Sequence, residues 1–324
     1  MAYCRRFAVA LGVLLTGLLV LAGVSLVARD RYQRPGPLSE PRDVVIPRGT
    51  PTQVAEVLLH AGVIHDARSF RVAVALTTLD GPLHAAELAF PARASLAEVL
   101  AVLRTARPVE HRLTVPEGLT AAQIAGVMDR AEGLTGEITL PAEGAVLPQT
   151  YAYELGATRD SLMERAKAAM TRALDRAWAE RAPDLPLARP QDMLILASIV
   201  ERETARPEER PRVAAVFLNR LRRGMRLQSD PTVQYAASGG AGVLDRALTR
   251  ADLELDNPYN TYRVAGLPPA PICSPGVASL QAVAWPAKSE DLYFVADGSG
   301  GHAFARTLDD HQRNVAHWRA SGIR

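Results

Sequence analysis

The chain has only two cysteines, Cys4 and Cys273, among 324 residues. That excludes a small fold stapled by disulfides. Net charge is nearly absent, because 37 Lys+Arg against 35 Asp+Glu leave +2. A dedicated nucleic-acid binder carries a clear basic excess, so no nucleic-acid partner is expected. Aromatic residues are sparse at 5%, yet hydrophobic residues total 48%, too many for a disordered chain. There is no internal repeat and no low-complexity tract. The glycine-rich stretch Gly298-Ser299-Gly300-Gly301 lacks the strand–loop–helix setting of a phosphate-binding loop. Ser198 lacks the His and Asp partners of a hydrolase triad. What remains is a core-forming composition, long enough for one large or two modest domains.

One long uncharged run is present. Phe7 to Ala28 contains 22 apolar or small residues and no charge. A bilayer core of about 30 Å takes roughly 20 helical residues to cross. The run predicts a transmembrane helix over 7–28 with a cytoplasmic tail over 1–6, since Arg5 and Arg6 precede it. Arg29, Arg31 and Arg34 on the far side weaken the charge asymmetry. A cleaved signal peptide is the competing reading, but its apolar region is usually about 7–15 residues, and no A-x-A site closes this one. On this topology Cys4 and Cys273 lie on opposite sides of the membrane and cannot pair.

Residues 29–42 are rich in proline and charge and read as a linker. Val44–Ile46 reads as a strand. Thr50-Pro51 opens a helix to about Leu59, with Thr as cap and Pro in the first turn. Ser69–Leu79 reads as a helix, Ser95 to Glu98 is a capping box opening another to about Arg104, and Val109–Val115 alternates as a strand. Residues 43–115 thus form a small α/β module. Its histidines, His60, His65 and His84, match no metal-ligand spacing and read as surface residues. Helices then dominate: Thr120 to about Ala131, Ser161 to about Arg181, Asp192–Ala205 and Pro207–Arg223. Residues 257–277 form a long Pro/Asn/Gly loop, Leu292–Ala296 and His302–Phe304 a hairpin, and Thr307 caps a last helix to about Ala320.

Chemistry concentrates in Leu194–Thr204, where Glu201 and Glu203 stand two residues apart and point to different helix faces. Glu203 shares its face with Val200, Ile199 and Leu196. Glu201 shares its face with Ser198, Ala197 and Leu194. The bulkier apolar neighbours of Glu203 would strip water from its charged form, raise its pKa and leave a proton to donate near neutral pH. Locally, both glutamates also read as solvated residues at a helix end, paired with Arg202 or Arg206. Other polar groups admit two readings each. Asn260, Tyr259 and Tyr262 suit sugar contacts or a plain turn. Gln228-Ser229-Asp230 lines a cleft or caps the next segment. His302 follows two glycines that would admit a ligand, or sits exposed on a hairpin.

Several segments together resemble the endolytic murein transglycosylase family, also called YceG-like: LASIVERET (196–204), VFLNRLRRGMRLQSDPTVQY (216–235), NPYNTYRVAGLPP (257–269), SPGVASLQAVAWPAK (274–288) and LYFVADGSGGHAF (292–304). The resemblance implies an α+β protein with an N-terminal transmembrane helix, a LysM-like α/β subdomain over 43–115, and a mainly helical catalytic domain with a β-hairpin over 116–324. It implies a lytic transglycosylase, a carbon–oxygen lyase anchored by one pass in the bacterial cytoplasmic (inner) membrane with its catalytic domain outside the cytoplasm. The implied substrate is peptidoglycan, cut between N-acetylmuramic acid and N-acetylglucosamine to leave a 1,6-anhydro end. The catalytic position maps onto Glu203, with Glu201 as fallback. Gln228, Ser229, Asp230, Asn260, Tyr262 and His302 would line the substrate, without metal or cofactor. The implied partners are glycan strands, the membrane through residues 7–28, and cell-wall synthases. One departure is Gln149, which replaces an acid the family often carries before Thr150-Tyr151. A non-enzymatic wall-binding scaffold is the alternative, and a histidine-based metal hydrolase a weaker third.

Overall fold

A computed structural model describes residues 2–320, with side-chain surroundings from Gly12 onward apart from residue 13. The chain divides into two compact units, Met1–His111 and Arg112–Arg324.

The first unit opens with helix α1, Ala2–Gln33. The expectation of a transmembrane helix over 7–28 is corrected here. Among the described residues no helix is long and apolar enough to cross a membrane. Charge enters the helix at Arg29, Asp30 and Arg31, before its end at Gln33. The side chains of residues 1–11 and 13, among them Cys4 in the expected cytoplasmic tail, lie outside the described residues. Single-pass placement in the inner membrane and membrane contact through 7–28 lose their basis with it.

Strand β1 (Arg42–Val45), helices α2 (Pro51–His60) and α3 (Ala67–Leu76), strand β2 (Glu87–Phe90) and helix α4 (Leu96–Thr105) complete this unit. β1 and β2 pair antiparallel with Val44 opposite Leu88. Alternation sends Val44, Leu88 and Phe90 into a core with Leu58, Phe70, Leu100 and Leu103. The caps follow the sequence: Thr50 with Gln53 and Ser95 with Glu98 form capping boxes. The helix expected over 69–79 starts earlier, because Asp66 accepts the Ser69 amide at 2.7 Å, and it ends at Leu76. His60, His65 and His84 are exposed.

Strand β3 (Glu110–Thr114) runs across the division, and the second unit goes on with helix α5 (Ala121–Asp129), strand β4 (Thr150–Glu154) and the long helix α6 (Arg159–Ala179). Helices α7 (Pro190–Glu203), α8 (Arg210–Arg222), α9 (Asp230–Ala237), α10 (Arg250–Leu253) and α11 (Val277–Ala284) follow. Strands β5 (Tyr293–Ala296) and β6 (His302–Ala305) and helix α12 (Leu308–Ala320) close it. The described strands form three two-stranded sheets, β1–β2, β3–β4 and β5–β6, so the architecture is mainly helical with small sheets attached. β5 and β6 pair antiparallel with Ala296 opposite His302.

α7 is the axis of this unit. Its residues Met193 to Val200 are all buried, the pattern of a helix enclosed on every side. α6, α8 and α11 pack against it, through Phe217, Leu218, Leu280 and Val283. At its start Pro190 occupies the first turn, and Asp192 accepts the Ala188 and Arg189 amides at 3.1 Å each. A rigid, buried rod therefore delivers its last turn, Glu201 to Glu203, to the edge of the core.

Candidate active site

Thr204 leaves α7 in an extended conformation, φ −139° and ψ 133°, so Glu203 is the last helical residue. The negative end of the helix dipole disfavours a carboxylate there.

The two glutamates have different surroundings. Glu201 is sealed, with a side chain only 4% exposed. Its Oε1 accepts from Arg210 Nη2 at 2.9 Å and its Oε2 from the Gly276 amide at 2.9 Å. Arg210 also reaches Glu117 Oε2 at 3.3 Å. Gly276 permits this crowding, since a Cβ there would stand 1.8 Å from Glu117 Oε1. Arg202, between the two glutamates, donates to the carbonyls of Gly118 (3.3 Å) and Gly242 (2.9 Å). This side of the helix end pins loops together.

Among the described residues Glu203 has no ion-pair partner of that kind. It is partly buried, and Ser229 Oγ donates to its Oε1 at 2.5 Å. Burial, the largest influence, pushes its pKa from 4.5 up to about 7; Ser229 opposes the rise, the charge of Asp230 adds to it, and Arg220 opposes it. The group is thus poised to hold and release a proton near neutrality.

Ser229 is itself fixed. Its amide donates to Thr261 Oγ1 at 2.9 Å, and its carbonyl accepts from Thr232 Oγ1 at 2.7 Å. Thr232 and Thr261, both fully buried, share a hydrogen bond at 2.9 Å. Gln228, just before, is exposed and lies in the left-handed region at φ 51°, with its amide on the Thr261 carbonyl at 3.1 Å. Asp230 begins α9 and accepts from Tyr262 Oη at 2.6 Å. Burial above all, and then Asp230, push the Tyr262 phenol well above its usual range.

Of the residues singled out in the sequence, Glu203, Ser229, Asp230 and Tyr262 therefore converge, with Gln228 at their margin. Asn260 is fully buried, and its amide nitrogen donates to the carbonyls of Leu253 (3.1 Å) and Leu255 (2.8 Å). It holds the loop that carries Thr261 and Tyr262. His302 meets Glu209, with Nδ1 2.7 Å from Oε2, and no described bond links it directly to Glu203. Gln149 is exposed, and its carbonyl accepts the Val115 amide at 3.0 Å.

Sequence reasoning missed Arg220 and Glu209. Arg220 lies in the Asn219–Arg223 run, where a string of arginines reads as a solvated face. Here it is buried, donating to the carbonyls of Leu292 and Leu227 at 2.6 Å each, and burial depresses its pKa. Also missed was Glu143 as a helix cap. It accepts the Ala121 amide at the start of α5 (2.9 Å) and Tyr235 Oη (3.2 Å), and burial raises its pKa.

The profile of the YceG-like family matches residues 44–317, and the chain belongs to this family. The endolytic murein transglycosylase of Streptococcus pneumoniae is 33% identical over 253 residues, covering 64% of this chain and 45% of that protein. The endolytic murein transglycosylase of Bacillus subtilis is 36% identical over 173 residues, covering 53% of this chain and 47% of its own length. This chain thus spans about half the length of these curated relatives. The crystal structure of a YceG-like protein from Listeria monocytogenes is similar at a TM-score of 0.52 and 28% identity, over 85% of this chain and 99% of that one.

Proposed function

We propose that the chain is a lytic transglycosylase of peptidoglycan, with Glu203 as its general acid and base. The observation that carries the reading is a carboxyl raised to about 7 at the last residue of a buried helix, tethered by Ser229 and without an ion pair among the described residues. Family membership and the names of the relatives support the substrate class.

The chemistry suits a lone carboxylic acid. Protonated Glu203 gives its proton to the glycosidic oxygen between N-acetylmuramic acid and N-acetylglucosamine as the C1–O bond breaks. Positive charge develops on the sugar ring. Glu203, now ionised, takes the proton from the same sugar's C6 hydroxyl, whose oxygen closes on C1. One bond forms where one broke and no water is consumed, so the product ends in a 1,6-anhydro sugar. Attack from within the sugar gains from proximity and dispenses with the second carboxylate of a glycosidase. Ser229 keeps the carboxyl oriented through both transfers, and buried Arg220 supplies positive charge that favours the ionised stage. Asp230, Tyr262 and exposed Gln228 line the approach.

The experiment is digestion of purified peptidoglycan by the full chain, with products read by mass spectrometry. Anhydro ends are expected, and Glu203→Gln should abolish them while the protein stays folded. Reducing ends would make it a hydrolase. No product from folded protein would leave a wall-binding scaffold.

A further inference from the structure

Two arginines of α8 are buried, and their charges are met in different ways. Arg210, in the first turn, reaches Glu201 at 2.9 Å and Glu117 at 3.3 Å. Arg220, in the last turn, is only 7% exposed and has no ion-pair partner among the described residues. Its Nε donates to the Leu292 carbonyl and its Nη1 to the Leu227 carbonyl, at 2.6 Å each. The guanidinium carbon lies 5.4 Å from the centre of the Tyr293 ring, within cation–π range. The carbonyl end of α8 adds a partial negative charge. Dipoles and a ring face meet this cation, and no anion does.

Tying the chain together here does not require a charge. The neighbouring Asn219 uses a neutral amide, whose Nδ2 donates to the carbonyls of Ser289 at 2.8 Å and Asp291 at 3.0 Å. Taking a cation out of water without an anion is costly, and burial lowers the Arg220 pKa accordingly. A buried, unmatched positive charge is the observation to explain. Of the acidic groups whose charge acts on Arg220, namely Tyr293, Tyr262 and Glu203, only Glu203 is a carboxyl. The chain joins the two as well: Leu227, held by Nη1, stands two residues before Ser229, whose Oγ donates to Glu203 at 2.5 Å. Asp230 of α9 is the other charge felt by Glu203, and it has the sign of the carboxylate itself. His311 of α12 stacks on Tyr293 with centroids 5.1 Å apart. Burial first, and then Arg220, lower its pKa, so it adds no second cation at neutral pH.

We propose that Arg220 is a positioning residue of the cleavage reaction, a buried cation without an anion in the resting site that gains Glu203 as its counter-charge once Glu203 has given up its proton. The proposal rests on the glycan-cleaving reading of Glu203 and deepens it. Protonated Glu203 leaves the charge of Arg220 unmatched. The carboxylate formed as the proton passes to the glycosidic oxygen matches it. An interaction that strengthens as the reaction advances is one that accelerates it. Arg220 acts through Glu203 and need not touch the glycan, so its removal should alter kcat more than KM.

Two measurements on the full chain test this. The first is nitrogen NMR of the Arg220 Nε–H, which its bond to the Leu292 carbonyl shields from exchange. In wild type the signal should move as pH passes through the Glu203 midpoint, and in Glu203→Gln it should stay still. A signal that stays flat in wild type while Glu203 titrates, or moves equally in both proteins, would overturn the proposal. The second is turnover of soluble glycan strands. Arg220→Gln keeps an amide for a carbonyl and removes the charge. It should lower kcat about tenfold with KM nearly kept, and move the alkaline limb of the pH–rate profile upward by about half a pH unit or more. Arg220→Lys keeps the charge in a poorer geometry and should hold the limb near its wild-type position. A lowered kcat with an unmoved limb in Arg220→Gln, or an equal shift in Arg220→Lys, would leave Arg220 with a structural role alone. Adding Arg220→Gln to Ser229→Ala should move the limb further than Ser229→Ala does; no further movement would mean that Arg220 merely places Ser229. If either Arg220 variant fails to fold, the comparison of wild type with Glu203→Gln decides. Wild-type protein that releases no anhydro ends would remove the glycan-cleaving reading and this role with it. Normal release with a flat Nε–H signal would overturn the role of Arg220 alone.

Discussion

The two sides of the end of α7 hold the same functional group two residues apart and put it to opposite uses. On one side Glu201 meets Arg210 and the Gly276 amide in a sealed contact. On the other Glu203 meets burial, a hydroxyl and the like charge of Asp230, and its proton affinity rises to about 7. A carboxylate given a full cationic partner braces loops. One denied such a partner, yet deprived of water, holds its proton to higher pH and suits the acid's part in the proposed reaction. Position along the helix is nearly the same; the identity of the neighbours decides.

That contrast breaks most sharply at Glu203. Glu203→Gln should lower turnover of glycan strands by about a thousandfold or more, measured as anhydro ends released per folded molecule. Retained turnover would assign the chemistry elsewhere. On the opposite side, Arg210→Met would leave Glu201 buried without its cation. The expected loss of stability is about 3 kcal/mol or more, read from denaturant midpoints, while the pH dependence of the remaining activity should not move.

Acidity gives a further handle on the Glu203 side. Glu203 binds its proton more tightly folded (about 7) than unfolded (4.5), so between those values the folded state carries more protons. Stability from this group should therefore be greatest below about 4.5 and decline as pH rises to about 7. The span is on the order of 3–4 kcal/mol before allowance for screening at the partly exposed edge, which lowers it. Melting curves of wild type and Glu203→Gln should diverge over that window, with the variant the more stable at its upper end. Turnover should fall as pH rises through about 7, because the protonated acid starts the reaction. The smallest effect belongs to Ser229. Its hydrogen bond favours the ionised form, so Ser229→Ala should shift the alkaline limb of the pH–rate profile upward and cost about 1 kcal/mol in turnover. A downward shift would mean that the hydroxyl serves the protonated form.

Part of this was readable in the chain. Glu203 stood out because helical spacing places Val200, Ile199 and Leu196 beside it, and the caps at Thr50, Ser95 and Thr120 announce themselves within four residues. Pairings across long separations were not readable. Arg220 looks like a surface residue until Leu227 and Leu292 offer it carbonyls, and Glu209 is one acid among many until the hairpin folds over it. Asn260 suited a sugar contact by type, but the loop closes around it and uses its amide for its own carbonyls. β4 and α11 escaped notice because five residues of strand and a helix of small residues give little periodic signal. The run at the start of the chain shows the reverse problem: uncharged length suggested a bilayer span, which the described part of α1 does not supply.

Gln228 has one more implication. A side chain at φ 51° pays against the handedness of its own backbone, by roughly 1 kcal/mol. Glycine would remove that penalty and, with it, the stiffness that presents the neighbouring serine to the acid. Substituting glycine there should barely change how well the protein stands up to heat while blurring the aim of Ser229, so tolerance of a mutation in a melting curve would be a poor guide to its effect on chemistry at this bend.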